Sequence, residues 1–351
     1  MFYKIEKIDD HPCYEMQKIL EVFFAKLMSG NVWNLTDQHP KVSLVHGGST
    51  FVSDLNTLYD EILATNIFIR HTLYRQFENN NKIENLCDGS LKIENYFLWD
   101  KEIAKKIKTF YDDCYPSKLD LGIFKRNSCS IKPTKRFYQD FIQKNGHICP
   151  FCSILPHKHP IGKKRGDFDH YIDKTHYPLA ALNMDNLIPM CSECNQDYKH
   201  TANILKNTNG SQRLFIYPYS LEEEFRFEVE NIVSEENKWK FYIRIVSYLD
   251  PVLVINFDDV FDIKNRIQRE FEKRYDAWLV EEVKRYIFGS TTVTIDGFKA
   301  HLLHVALNVI DLTNRTLEAK LLEHALYLYL GETDDEEIND IFLGSYLYDY
   351  I

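Results

Sequence analysis

The sequence predicts an α+β fold with a metal-braced centre, and three observations carry that expectation. Apolar residues recur at helical spacing towards both ends of the chain, from Tyr14 to Met28 and again beyond Asp262. Between residues 214 and 257 the pattern changes to a strand period of two. Between these regions, from Cys149 to Lys206, two Cys-x-x-Cys pairs enclose an Asp-His pair and two asparagines.

At the amino end, Met16, Ile19, Leu20, Phe23, Phe24 and Leu27 predict a first helix, stopped by Ser29-Gly30. Residues 31–52 are polar and irregular, with a turn expected at His46-Gly47-Gly48. A second helix is expected to start at an N-cap, Ser53, and to run through Leu58, Ile62, Ile69 and Leu73 to the break at Asn79-Asn80-Asn81. A third spans Trp99 to Cys114 with Ile103, Ile107 and Phe110 on one side. The stretch 101–136 carries ten Lys or Arg against four acids, a local +6 in a chain whose formal net charge is −10. It reads either as a phosphate-contacting surface or as an ordinary solvated helix face.

Beyond the central stretch, Leu214–Tyr217 is expected as a short strand. Phe225, Phe227 and Val229 alternate with charged residues, and Trp239, Phe241, Ile243 and Ile245 return on one face after a turn at Ser234–Asn237. A further strand is expected over Val252–Phe257, completing a small antiparallel sheet. From Asp262 a long helix runs to Gly289, and two more cover Ile295–Ile310 and Arg315–Leu330. The tail from Gly331 has seven acids and no Lys or Arg, and is expected to be solvated or frayed. The resulting division is a helical region over 1–136, a central module over 137–210, a β segment over 211–260 and a helical region over 261–351.

A chain of 351 residues suffices for two or three modest domains. Its acidic balance argues against coating nucleic acid by bulk charge. The amino terminus lacks the apolar core of a secretory signal, and no run approaches the length of a membrane span, so a cytoplasmic protein is expected. Of eight cysteines, Cys13, Cys87, Cys114 and Cys129 are scattered and read as small buried apolar residues. Cys149, Cys152, Cys191 and Cys194 form two knuckles separated by thirty-eight residues. In a reducing compartment that spacing fits four thiolates around a closed, structural Zn²⁺. The loop between the knuckles is longer than a minimal zinc ribbon needs, so it houses something else.

It houses Asp167-Phe168-Asp169-His170, then Asn186-Leu187-Ile188-Pro189, then Cys194-Asn195 followed by Lys199. Over about residues 147–206 the chain resembles the HNH endonucleases of the ββα-metal fold, in the subgroup braced by a four-cysteine zinc site. The resemblance implies a general base at His170, whose side-chain type titrates near working pH. It implies that Asp169 and Asn195 ligate one catalytic Mg²⁺ or Mn²⁺, a hard-oxygen set. It implies that Asn186 holds the loop between the strands and helps to orient the histidine. Lys199, one turn beyond Asn195, and Lys163-Lys164-Arg165, just before the Asp-His pair, are candidate contacts to a DNA backbone; ordinary solvation is the alternative for each. His200 is an alternative third-position ligand, with Asn195 favoured by its nine-residue offset from Asn186. Two departures stand out: Tyr171-Ile172-Asp173 follows the histidine where many members have Ile and Pro, and His176–Ala181 replaces the usual glycine-rich loop.

The resemblance implies hydrolysis of DNA phosphodiester bonds. It also suggests a setting as the nuclease effector of an anti-phage defence or restriction system, with a partner protein such as an ATPase sensor. The flanking regions are expected to set substrate access or a homo-oligomeric state. The competing reading is a non-catalytic zinc-ribbon module that binds nucleic acid or protein, which explains the cysteines but not the Asp-His-Asn-Asn set.

Overall fold

The computed structural model describes residues 4–33, 50–94, 100–115, 117–124, 130–159, 161, 166, 168–220, 226–236, 238–309 and 320–348. It is an α+β protein of many helices and two small antiparallel sheets. The chain divides into two compact units. One comprises Ile5–Asn145 and His157–Leu221; the other comprises Met1–Lys4, Gly146–Pro156 and Glu222–Ile351. This differs from the expected four consecutive regions, because the first knuckle segment groups with the carboxy-terminal part of the chain.

In the unit containing Ile5–Asn145, α1 (Glu15–Ser29) buries Met16, Ile19, Leu20, Phe23, Phe24 and Leu27, as the periodicity predicts. It ends at Gly30, whose φ of 69° is left-handed and favours glycine. The expected second helix is two helices, α2 (Thr50–Leu63) and α3 (Ile67–Asn80). The break is made by Asn66, whose side chain caps α3 by accepting from the Ile69 amide at 3.0 Å. A short α4 (Ile83–Cys87) follows. The turn expected at residues 46–48 lies outside the described residues. Helix α5 (Lys101–Cys114) starts at Asp100, which accepts from the amides of Glu102 and Ile103, both at 3.0 Å. Its buried stripe is Ile103, Ile107, Phe110, Tyr111 and Cys114. Helix α6 (Pro133–Asn145) buries Phe137, Tyr138, Phe141 and Ile142.

The remainder of this unit carries the central motifs. Strands β1 (Phe168–His170) and β2 (Leu187–Pro189) pair antiparallel, with Asp169 opposite Ile188 and His170 opposite Leu187. Helical segment α7 (Glu193–Lys199) closes the motif. Leu214–Tyr217 is not a ladder strand. Phe215, Ile216 and Tyr217 are buried, and the Phe215 amide donates to the Cys87 carbonyl, far off in sequence, at 2.8 Å.

In the other unit, β3 (Arg226–Glu235) and β4 (Lys238–Val246) form a hairpin with a register shift between Val229 and Asn231. Phe227, Val229, Ile232 and Phe241 are its buried residues. The expected strand over Val252–Phe257 is instead part of helix α8 (Pro251–Phe261). Asp250 caps that helix, accepting from the Val252 amide at 2.8 Å, and Pro251 occupies the first turn, where its missing N–H costs nothing. Helices α9 (Ile263–Gly289), α10 (Ile295–His304) and α11 (Lys320–Glu332) follow; residues 310–319 lie outside the described set.

The acidic tail is not frayed. Glu337–Leu343 (α12) and Gly344–Leu347 (α13) are helical and bury Ile338, Phe342, Leu343 and Leu347. The Phe342 ring meets Trp239 at 4.8 Å and Tyr275 at 5.8 Å. The six acids described there, Glu332, Asp334, Asp335, Glu336, Glu337 and Asp340, are exposed while Ile338, Phe342, Leu343 and Leu347 are buried, so net charge misreads the segment. No helix among the described residues is long and apolar enough to cross a membrane.

Candidate active site and metal centre

The four central cysteines are buried, and their sulfur atoms lie within 4.8 Å of one another. Each pair sits on a knuckle-like turn. The Ser153 amide donates to Cys149 O at 2.9 Å, and Ser153 itself adopts a left-handed φ of 57°. The Cys194 amide donates to Cys191 Sγ at 3.4 Å. Among the described residues, four sulfur donors with no fifth His or carboxylate make a closed set, the chemistry of a structural tetrahedral zinc site. Cys13, Cys87 and Cys114 are buried elsewhere, and burial pushes the Cys114 thiol up to about 12. They are inert packing residues, as expected. Cys129 lies outside the described residues.

Strand β1 ends at His170, and the chain turns immediately afterwards. That turn is made by Asn186, which is fully buried. Its Oδ1 accepts from the Ile172 amide at 2.8 Å, and its Nδ2 donates to Ile172 O at 3.1 Å and Ala180 O at 3.2 Å. Its own carbonyl accepts from the Tyr171 amide at 2.8 Å. One side chain thus joins the segment after β1 to the loop before β2. Only an amide can donate and accept on both sides in this way.

The same loop reaches the histidine. His170 Nε2 lies 3.1 Å from Ala181 O. A carbonyl only accepts, so Nε2 carries the proton and Nδ1 is the basic nitrogen of the neutral ring. Burial pushes the imidazole down to about 3, and the nearby Lys174 charge acts in the same direction. The Tyr115 ring packs edge-on against His170, with centroids 4.6 Å apart.

Asp169 is also buried, and burial raises its carboxyl to about 6 against the opposing pull of Lys199. Here the structure corrects an expectation. Lys199 is 1% exposed and cannot meet a phosphate from a helix surface. Its Nζ lies 2.7 Å from Asp169 Oδ2 and donates to His170 O at 2.8 Å. The reason is helical geometry: α7 is widened, with the His200 amide donating to Asn195 O five residues back at 2.9 Å. That winding turns Lys199 inward, while Asn195 stays half-buried and His200, exposed at a φ of 40°, bonds Thr201 at 3.1 Å. Lys163, Lys164 and Arg165, and Asp167 beside them, lie outside the described residues.

Four contributors were not legible in the sequence. Tyr115 comes from the end of α5, far from the motif in sequence. Lys174 pairs with Asp112 at 3.0 Å, and its ammonium lies 5.9 Å from the Tyr115 ring centroid. Ala181 acts through its backbone carbonyl, which no side-chain pattern reveals. Asp173 accepts from the Thr175 amide at 2.8 Å, from the His176 amide at 3.2 Å and closely from His176 Nδ1. Burial would raise the Asp173 carboxyl, but these bonds together hold it below its ordinary value.

Compared with known proteins, the chain is 34% identical over 197 aligned positions to Protein ea31 of Escherichia phage lambda. The matched stretch covers 52% of this chain and 62% of that protein. No family model matches the chain, and no solved structure matches it.

Proposed function

We propose that this protein is an HNH-type endonuclease that hydrolyses DNA phosphodiester bonds, with β1, β2 and α7 forming a ββα-metal module braced by zinc on the four cysteines. The observation that carries the reading is the His170 arrangement: a neutral imidazole at a strand end, held through Nε2 by Ala181 O, beside the Asp169 carboxylate. A plain zinc ribbon has no use for that set.

In this reading His170 Nδ1 takes the proton from the attacking water. Nε2 cannot swing away because its carbonyl partner sits on a loop that Asn186 fixes. Lys199 holds Asp169 and the His170 backbone together, so the carboxylate and the imidazole keep a set separation. In this reading one carboxylate oxygen of Asp169 and the amide oxygen of Asn195 would hold a hard divalent ion. Mg²⁺ or Mn²⁺ bound there would stabilise charge on the phosphate and the leaving oxygen. A sensor partner and a defence role remain part of the proposal as the setting that the HNH resemblance suggests.

The test is cleavage of supercoiled plasmid by purified, zinc-loaded protein with Mg²⁺ or Mn²⁺, beside EDTA and His170→Ala controls. Metal-dependent nicking that His170→Ala abolishes supports the proposal. Nicking that survives the substitution removes His170 as the base.

A further inference from the structure

Helix α5 is the core of the most basic stretch of the chain, and its charges are not equivalent. Around the helix, Lys101, Lys105, Lys108, Asp112 and Tyr115 follow one another at alternating steps of four and three residues. At 3.6 residues per turn they form one straight stripe. The stripe runs opposite the buried side, Ile103, Ile107, Phe110 and Cys114.

The carboxy-terminal end of this stripe is anchored at the candidate site. Tyr115 packs against His170, and Asp112 is paired with Lys174, four residues past His170. The amino-terminal part carries Lys101, Lys105 and Lys108, which are exposed and pair with no carboxylate among the described residues. Four cations of the same stretch that lie off the stripe, Lys106, Lys118, Lys132 and Arg136, are answered by protein carboxylates. Lys106 pairs with Glu61 at 2.8 Å, Lys132 with Asp120 at 3.6 Å and Arg136 with Asp140 at 2.8 Å. The one acid on the stripe has its charge met by Lys174. An unanswered row of cations leading to the candidate base calls for an anion of linear, repeating charge.

We propose that the Lys101–Lys105–Lys108 face of α5 is a substrate arm that binds the phosphate backbone of duplex DNA to one side of the scissile bond. This rests on the nuclease reading of the His170 site and adds to it a binding surface outside the motif. From Lys101 to Tyr115 the helix rises about 21 Å, the axial length of about six base pairs at about 3.4 Å per phosphate along each strand. The arm therefore contacts flanking phosphates and not the one under attack, so it acts on binding and not on the chemical step.

The experiment uses the full-length His170→Ala protein, which cannot turn over substrate, and a fluorescein-labelled DNA duplex. Binding is followed by anisotropy over a KCl series from about 50 to 200 mM. Lys101→Gln/Lys105→Gln/Lys108→Gln is expected to flatten the slope of log affinity against log salt by about 2.7, three contacts at about 0.9 each. Lys106→Gln is expected to leave the slope unchanged. In the otherwise wild-type enzyme the triple substitution is expected to raise KM with kcat retained. Circular dichroism and zinc content check that the variants fold. An unchanged slope in the triple variant, an equal loss per charge with Lys106→Gln, or no DNA binding by the parent overturns the arm. If the parent binds through these lysines but the wild type cuts no DNA with any divalent metal, the arm stands and the nuclease reading falls.

Discussion

The two antiparallel strand pairs among the described residues differ in what fixes them. The β3–β4 hairpin pairs over nine positions and is sealed by apolar packing, with Phe241 stacked on Phe271 at 5.5 Å and Trp239 against Phe342. The β1–β2 pair has only three positions, too few to persist alone. Phe168, Leu187 and Ile188 are buried there, and buried polar chemistry fixes the pair further: the Asn186 amide, the Lys199–Asp169 ion pair and the carbonyl of Ala181 on His170. Apolar packing fixes a shape and tolerates substitution of like for like. Buried polar groups must each find a partner, so they fix individual atoms in place, which is what chemistry requires.

This contrast can be tested by perturbing each side in turn, starting with the metal. Cys152→Ser opens the closed four-sulfur set, and structural zinc sites of this kind contribute about 10 kcal/mol or more of folding energy. The variant is expected to purify with little zinc and to lose its cooperative thermal transition, measured by metal analysis and calorimetry. Retention of full zinc and an unchanged Tm would separate the cysteines from the fold.

Next come the buried ion pair and the hairpin core. Lys199→Met leaves the Asp169 carboxylate uncompensated, at a cost of about 3–5 kcal/mol. Adding Asp169→Asn should recover a large part of that stability but no activity. Urea unfolding of the two single variants and the double variant checks the cycle; additive losses would show that the pair is not coupled. Phe241→Ala removes a fully buried ring from the hairpin and should cost about 3–5 kcal/mol. Its kcat per folded molecule should stay within about twofold, since ΔΔG‡ near zero is expected away from the site.

Asn186→Ala strips three side-chain bonds from the turn after β1. It should cost about 2–3 kcal/mol through the backbone groups left unpaired, and activity should fall because Ala181 O no longer has a fixed position. The smallest effect is electrostatic. Asp173 is held below its ordinary pKa in the folded protein, chiefly by His176 and Thr175 once its burial is overcome. A depressed carboxylate stabilises above its unfolded pKa and loses that contribution as pH falls through the folded value. Asp173→Asn should therefore be less stable than wild type at neutral pH, with the gap closing as pH falls below the ordinary carboxylate range. A gap that persists at acid pH would assign the effect to packing.

Much of the polar module was legible in the sequence, because Asp169, His170, Asn186 and the cysteines stand at characteristic spacings. What escaped were groups whose role depends on winding or on distant contacts. Lys199 reads as a surface lysine at normal helical pitch, and a widened turn carries it inside. Tyr115 reaches His170 from another helix, and Ala181 contributes only a backbone oxygen. In the other unit a capping signal outranks strand composition. Val252–Phe257 has the composition of a strand, but Asp250-Pro251 is a cap and first-turn pair, and it made that run helical. The tail was misjudged from its net charge, although Ile338, Phe342 and Leu347 recur at spacings of four and five, close to a helical period.

The most direct measurement sets His170→Ala beside Phe241→Ala in one plasmid-nicking assay with Mg²⁺, with the melting temperature of each recorded. The account predicts that His170→Ala melts a little lower, for the lost bond to Ala181 O, and loses all nicking, while Phe241→Ala melts much lower and still nicks. Nicking by His170→Ala at the wild-type rate would contradict the claim that the short polar strand pair carries the chemistry.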